Sequence, residues 1–300
     1  MSLVSFTKAR KDDFDSMKQA IREALGLIEH SFGEEKNVII KPNLCYYWDY
    51  STGQTTDPRF VAALIDLIRE QMPRKIDVCI VESDASAMKC RYAFKMLGYE
   101  KLAEDLDVEL INLSEDENDV VEVAAGNQTF QLMVPQTIRN AGLRINVPKI
   151  KYMSREGVRI TCALKNVFGC NPYPKKFRYH SRLAEAIVAT NKVMKFDLCL
   201  TDGMIVSGIQ PCRLGLVMAS KDPVAIDVAA AKIAAENPMK IQYIQLAHKE
   251  GLGNTSFIER GKPLNYFRDR YPRKDVKTQL LGKAYAVVAR AGLSHRLGLE

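Results

Sequence analysis

What this chain of 300 residues lacks narrows it first. It has no run of about 18 apolar residues, so the sequence predicts no membrane-spanning helix. Its seven cysteines (45, 79, 90, 162, 170, 199 and 212) form no Cys-x-x-Cys pair. Their odd count and irregular spacing argue against a disulfide framework. There is no His-x-x-x-His pair, no Walker loop and no Gly-x-Gly-x-x-Gly turn. The usual sequence signs of a zinc site, a P-loop and a dinucleotide fold are therefore missing. The opening Met1-Ser2-Leu3-Val4-Ser5 has no charged-then-apolar leader pattern, and a cytoplasmic protein is the expectation. No low-complexity linker or repeat breaks the chain.

What is present is an ordinary globular composition, 47% hydrophobic and 26% charged, with an uneven net charge of +7. Residues 149–182 hold nine Lys or Arg against Glu156 alone, and residues 104–122 hold nine acidic residues and no basic one. The block at 149–182 surrounds Asn, Gly and His and shows little helical periodicity. Basic charge of that kind suits an anionic ligand or nucleic acid.

Hydrophobic strand-like runs end abruptly in polar clusters. Asn37–Ile40 stops in Lys41-Pro42-Asn43, and Val78–Val81 stops in Glu82-Ser83-Asp84. Leu143–Val147 runs into Pro148-Lys149-Ile150-Lys151, and Leu198–Thr201 into Asp202-Gly203. Leu216–Ala219 runs into Ser220-Lys221-Asp222. Between these runs, three- and four-residue apolar spacing predicts helices over 8–31, 59–71, 89–106 (broken at Gly98), 183–194, 223–236 and 240–249. Asp57-Pro58 and Asp222-Pro223 read as helix starts, with the acid as cap and proline at the first position. Val120–Val123 and Thr129–Met133 flank Gly126-Asn127 as a hairpin. The expected fold is α/β: a mostly parallel central sheet with helices on both faces and a small hairpin insertion. Residues 1–255 are expected to form the α/β domain, and 256–300 a basic, partly helical C-terminal extension with a closing helix over 278–292.

In open α/β sheets ligands bind outside the carboxyl ends of the strands, so the polar tails suggest one shared site. Proline lacks the N–H that a central strand needs, so Pro42 marks a strand end. There Lys41 can neutralise an anion and Asn43 can orient it. Lys149 and Lys151 stand two apart, which in extended chain puts both on one side as a clamp. Each also depresses the other's pKa, which suits Lys149 to act as a base. Lys165 and Asn166 interrupt an apolar run and need partners if buried. Lys175 and Asp202 complete the binding set. His180 and Glu82 are the candidates to move a proton. Cys45, Cys170 and Cys212 lie beside polar loops, and carboxylate oxygens are available for a divalent metal.

These motifs carry a resemblance. Lys41-Pro42-Asn43, Thr56-Asp57-Pro58, Asn146-Val147-Pro148-Lys149, Ala163–Gly169, Lys175 with His180, Asp202-Gly203 and Ala219–Asp222 with Asp227 follow one another as in the domain of unknown function 362 family. The similarity runs over roughly 36–253 and implies an α/β fold without a settled activity. Many members carry a ferredoxin-like domain whose Cys-x-x-Cys repeats bind iron–sulfur clusters, and this chain has no such repeat. A likeness of fold to nickel-dependent lactate racemase is analogy only.

Three function classes follow. The first is an enzyme binding a small carboxylate or phosphate metabolite, by proton transfer as in a racemase or isomerase, or by group transfer. The second is a redox or metal-handling protein that uses the three loop cysteines, with a divalent metal or iron–sulfur cluster and a ferredoxin-type partner. The third is a nucleic-acid module using the basic blocks at 149–182 and 260–300, with Tyr152, Phe177 and Tyr179 as candidate stacking aromatics. No recognised nucleic-acid motif accompanies these aromatics, so this is the least favoured.

Overall fold

A computed structural model describes residues 1–33, 35–72, 76–153, 158–208 and 210–272. In chain order the elements are β1 (Ser2–Lys8), α1 (Phe14–Leu27), β2 (Asn37–Pro42), α2 (Pro58–Gln71), β3 (Asp77–Glu82), α3 (Cys90–Met96) and α4 (Tyr99–Leu106). Next come β4 (Glu109–Asn112), the hairpin β5 (Asn118–Ala125) and β6 (Gln128–Pro135), α5 (Gln136–Asn140), β7 (Leu143–Val147), β8 (Lys151–Tyr152), β9 (Ile160–Thr161) and α6 (Ala163–Phe168). The chain continues through α7 (Leu183–Val193), β10 (Leu198–Val206), β11 (Cys212–Ser220), α8 (Pro223–Ile233), α9 (Gln242–Lys249), β12 (Phe257–Gly261) and α10 (Leu264–Arg268).

Eight strands form one sheet in the order β12-β1-β11-β10-β7-β2-β3-β4. Only β11 runs against the others. Both faces are covered, which is why these strands read as continuous apolar runs. In β2, Val38 and Ile40 pack with α1 and α2, while Ile39 packs on the opposite face with Val167 and Met194. In β11, Val217 and Ala219 join the first face, while Leu216 and Met218 meet the residues of α7 and α8. The expected α/β class and the antiparallel hairpin are present.

The topology places the site. From β2 the chain steps outward through α2 to β3, and through α3 and α4 to β4. It then returns to lay β7 on the other side of β2 and continues to β10. Right-handed crossovers running in opposite directions put their helices on opposite faces and leave a crevice where the order reverses. That reversal lies between β2 and β7, at Lys41↔Asn146 and Pro42↔Val147.

Several expectations change. The helix predicted over 8–31 is shorter: α1 starts at Phe14, where Asp13 caps it by accepting Ser16 N–H, and ends at Leu27, while Ser2–Lys8 ahead of it forms β1, with Val4 and Phe6 in the core. The apolar run expected to stop at Asp202-Gly203 continues as β10 to Val206, and β11 starts earlier than its apolar run, at Cys212. Residues 257–261, read as part of the extension, form β12 and pair in parallel with β1. The helix expected at 278–292 lies outside the described residues.

Candidate functional site

Two buried ion pairs close the strand ends. Lys41 Nζ lies 2.8 Å from Glu82 Oε2, and both side chains are buried. The same ammonium donates to Pro42 O at 2.7 Å. Glu82 further accepts the N–H groups of Leu44 and Ser83. Across β7, Lys149 Nζ lies 3.1 Å from Asp202 Oδ2 and donates to Ile205 O at 2.7 Å. Asp202 also accepts the N–H groups of Asp57 and Met204, each at 2.9 Å. Charges this deep persist only when paired and hydrogen-bonded; here each ammonium has a carboxylate and a carbonyl partner.

An amide relay fills the reversal between the pairs. Asn166 Nδ2 donates to Asn146 Oδ1 at 2.7 Å and to Lys41 O at 3.2 Å. Asn146 Nδ2 donates to Ala163 O at 2.9 Å. Helix α6 is thereby fastened across the ends of β2 and β7. Its amino end is capped from another helix: Asp227 of α8 accepts Cys162 N–H at 3.1 Å and Leu164 N–H at 2.8 Å. Tyr243 Oη reaches the same carboxylate at 2.6 Å. Burial pushes the Asp227 carboxyl up to about 6 despite these donors. Asn43 Nδ2 donates to Gln54 O, and Thr56 Oγ1, which receives Asn43 N–H, donates to Val147 O. The loop after β2 is stitched to the sheet in this way.

Outside this sealed layer stand cations of a different kind. Lys165 of α6 is half-buried and lies over the Phe168 ring at 4.9 Å. Among the described residues it has no hydrogen bond or ion pair. Burial pulls its pKa down to about 8; Lys151, Lys176 and Lys41 push the same way, and Cys45 opposes them. Lys176 Nζ donates to Ser83 Oγ, to Asp84 O at 2.8 Å and to Gly169 O at 3.1 Å. Burial lowers Lys176 to about 8 as well, against the pull of Glu82. Gly169 has little room for a side chain: a Cβ would sit 2.8 Å from Asn166 O and 3.4 Å from Lys41 Nζ.

The residues named from sequence thus divide. Lys41, Glu82, Lys149, Asp202, Asn43 and Asn166 gather at the strand ends, where Lys41 pairs with Glu82, Lys149 pairs with Asp202, Asn43 donates to Gln54 O, and Asn166 donates to Asn146 and Lys41 O. Lys149 and Lys151 do not share a clamp: the first is sealed against Asp202, and the second is half-buried and acts on Lys165. Lys175 is exposed, and its neighbour Lys176 turns inward. His180 is exposed on the short 3-10 segment Lys176–Arg182. Nothing in the Lys-Lys dipeptide itself distinguishes 176 from 175; the backbone turn decides it. Asp227 and Asn146 were visible as polar residues in apolar runs, yet their capping and relay partners are remote in sequence.

Among the described residues, no three His, Cys, Asp or Glu side chains gather to hold a metal. Cys45, Cys170 and Cys212 are therefore not a ligand trio, and burial pushes the Cys170 thiol up to about 12. Nor do the three aromatics form a platform: Tyr179 is buried edge-on to Phe168, Tyr152 is half-buried, and Phe177 alone is exposed.

The sequence profile of one family, described as Domain of unknown function (DUF362), matches residues 38–232. The chain belongs to the DUF362 family. The match spans the reversal point, both buried ion pairs, the Asn146–Asn166 relay and Asp227. No curated protein matches the chain. Among solved structures, the lactate racemase apoprotein from Thermoanaerobacterium thermosaccharolyticum is similar at 13% identity and a TM-score of 0.44, over 78% of this chain and 57% of that one. A structural-genomics protein from Thermotoga maritima is similar at 12% identity and a TM-score of 0.40, over 79% of this chain and 59% of that one. This DUF362 chain thus spans less than two thirds of either protein. Among the described residues, no helix is long and apolar enough to cross a membrane.

Proposed function

We propose that this DUF362 protein is an enzyme that binds a small carboxylate or phosphate metabolite at the β2–β7 reversal and moves a proton on it. One observation carries the reading. Lys165 stands half-buried beside Lys151, Lys176 and Lys41, with no anion of the described protein to answer it. Unbalanced positive charge with restricted access to water favours an anionic guest. An amine with a pKa near 8 also spends part of its time neutral at physiological pH, which suits a general base. Glu82 and Lys149 are less suited, because their polar atoms are already engaged. Abstraction of a proton next to a carbonyl, the first step of a racemisation or isomerisation, fits a lysine base within a cationic pocket.

The test is exchange of carbon-bound hydrogen. The full chain is incubated in D2O with 2-hydroxy and 2-keto acids, and loss of the α-proton signal is followed by NMR. Wild type is expected to exchange at least one of them, with a rate rising through about pH 8, and Lys165→Met to lower that rate at least 100-fold. Equal exchange by the variant removes Lys165 from the chemistry.

A further inference from the structure

We propose that the anion taken at Lys165 carries a flat ring, which packs on Tyr46 and Trp48; this rests on the anion reading above. Trp48 is the chain's single tryptophan. It is 50% exposed and Tyr46 is 46% exposed, although large aromatics usually bury most of their surface. Their ring centroids lie 5.3 Å apart with a 56° tilt, so neither ring lies flat on the other and ring faces stay open.

Both rings belong to the loop that leaves β2 at the reversal point. Trp48 N–H donates to Cys45 O at 3.3 Å, and Cys45 is among the groups that act on Lys165. Both rings follow within six residues of Pro42, the last residue of β2, so the aromatic pair stands on the loop at the carboxyl end of the strand that carries Lys41. The loop is held at several points. Lys89 N–H donates to Tyr47 Oη at 2.9 Å, and the Arg59 guanidinium lies over the Tyr50 ring at 4.8 Å. Gly53, at φ +70°, packs so closely on the end of β10 that a Cβ would sit 2.4 Å from Ser207 N. Tyr46 itself sits at φ +53°, a left-handed conformation that bulky residues rarely adopt. Such positions persist where the surroundings fix them and gather at ligand sites. Exposed aromatic rings on a held loop at the strand end that also gathers the lysines can recognise a ring and its charged group together.

Isothermal titration of the full chain tests this. The probes are phenyl phosphate, adenosine monophosphate and phenylacetate, with inorganic phosphate and acetate as ring-free counterparts. The best ring-bearing probe is expected to bind about tenfold tighter than its counterpart and to change the Trp48 fluorescence. The double variant Tyr46→Ala with Trp48→Ala is expected to lose most of that advantage. Equal affinity with and without a ring, or an advantage that survives in the double variant, overturns the ring subsite while the anion site stands. If no probe binds, or Lys165→Met binds every probe as wild type does, the anion reading falls and this inference with it.

Discussion

Lys149 and Lys165 sit near the same strand ends, yet removing them should have opposite effects. Truncating Lys149 to Ala leaves the buried Asp202 carboxylate unpaired. Loss of one member of a buried pair typically costs about 3–5 kcal/mol, and urea denaturation at pH 7 should show a loss of that size. Adding Asp202→Asn removes the stranded charge but turns an NH2 group towards the N–H of Asp57 or Met204, so only part of the loss should be recovered. Lys165 has no such partner. Its folded pKa of about 8 lies below the ordinary 10.5, so below pH 8 the folded chain holds a poorly tolerated charge. Between about pH 8 and 10.5 the unfolded chain binds more protons than the folded one, so this penalty is relieved as pH rises. Lys165→Met should therefore stabilise the protein at pH 7 by about 0.5–2 kcal/mol, the usual signature of a functional group held at some cost. The gain should fade towards pH 10.5 in the same denaturation series. Sequence marked both lysines as site residues, since both follow apolar runs. It could not separate them, because the distinction lies in partners on β10 that are more than 50 residues away.

At the scale of elements, α6 shows why a short helix can be decisive. Six residues are too few to be stable alone, and here both ends are held by other elements. Asp227 from α8 caps its start, and Asn166 ties it to β2 and β7. Asp227→Asn turns an NH2 group towards one of two buried N–H donors and should cost about 1–3 kcal/mol. The folded Asp227 pKa, about 6, lies above the ordinary 3.8. Between those values the folded chain binds the extra proton, so stability falls as pH rises from about 4 to 6 and levels off above. The variant should lose that slope, as denaturation between pH 4 and 7 would show. Little helical periodicity marks residues 163–168 in the sequence, because the contacts that hold this helix come from remote elements. Strand β1 escaped notice because Val4 and Phe6 alternate over only a few residues, and its pairing partner, β11, lies more than 200 residues away.

For the whole molecule, the end of the described chain belongs to the sheet. β12 pairs with β1 over five positions, while Leu264, Phe267 and Tyr271 are buried. At about 1.5–3 kcal/mol for each of these three large side chains, a chain cut after residue 255 should lose about 5–9 kcal/mol. Its thermal unfolding, compared with the full chain, measures this. A cut that leaves the melting temperature unchanged would make the C-terminal segment a true appendage. The parallel α/β class, the hairpin and most strand ends could be read from sequence, because apolar runs, turn residues and helix caps are local signals. The same signals showed that lysines, amides and carboxylates gather where strands stop. Which of those groups neutralise one another, and which stand without an ion-pair partner among the described residues, was decided only by the tertiary structure. Pairing depends on the strand order β10-β7-β2-β3 and on α6 lying across it, and burial alone makes an unpaired charge costly enough to matter.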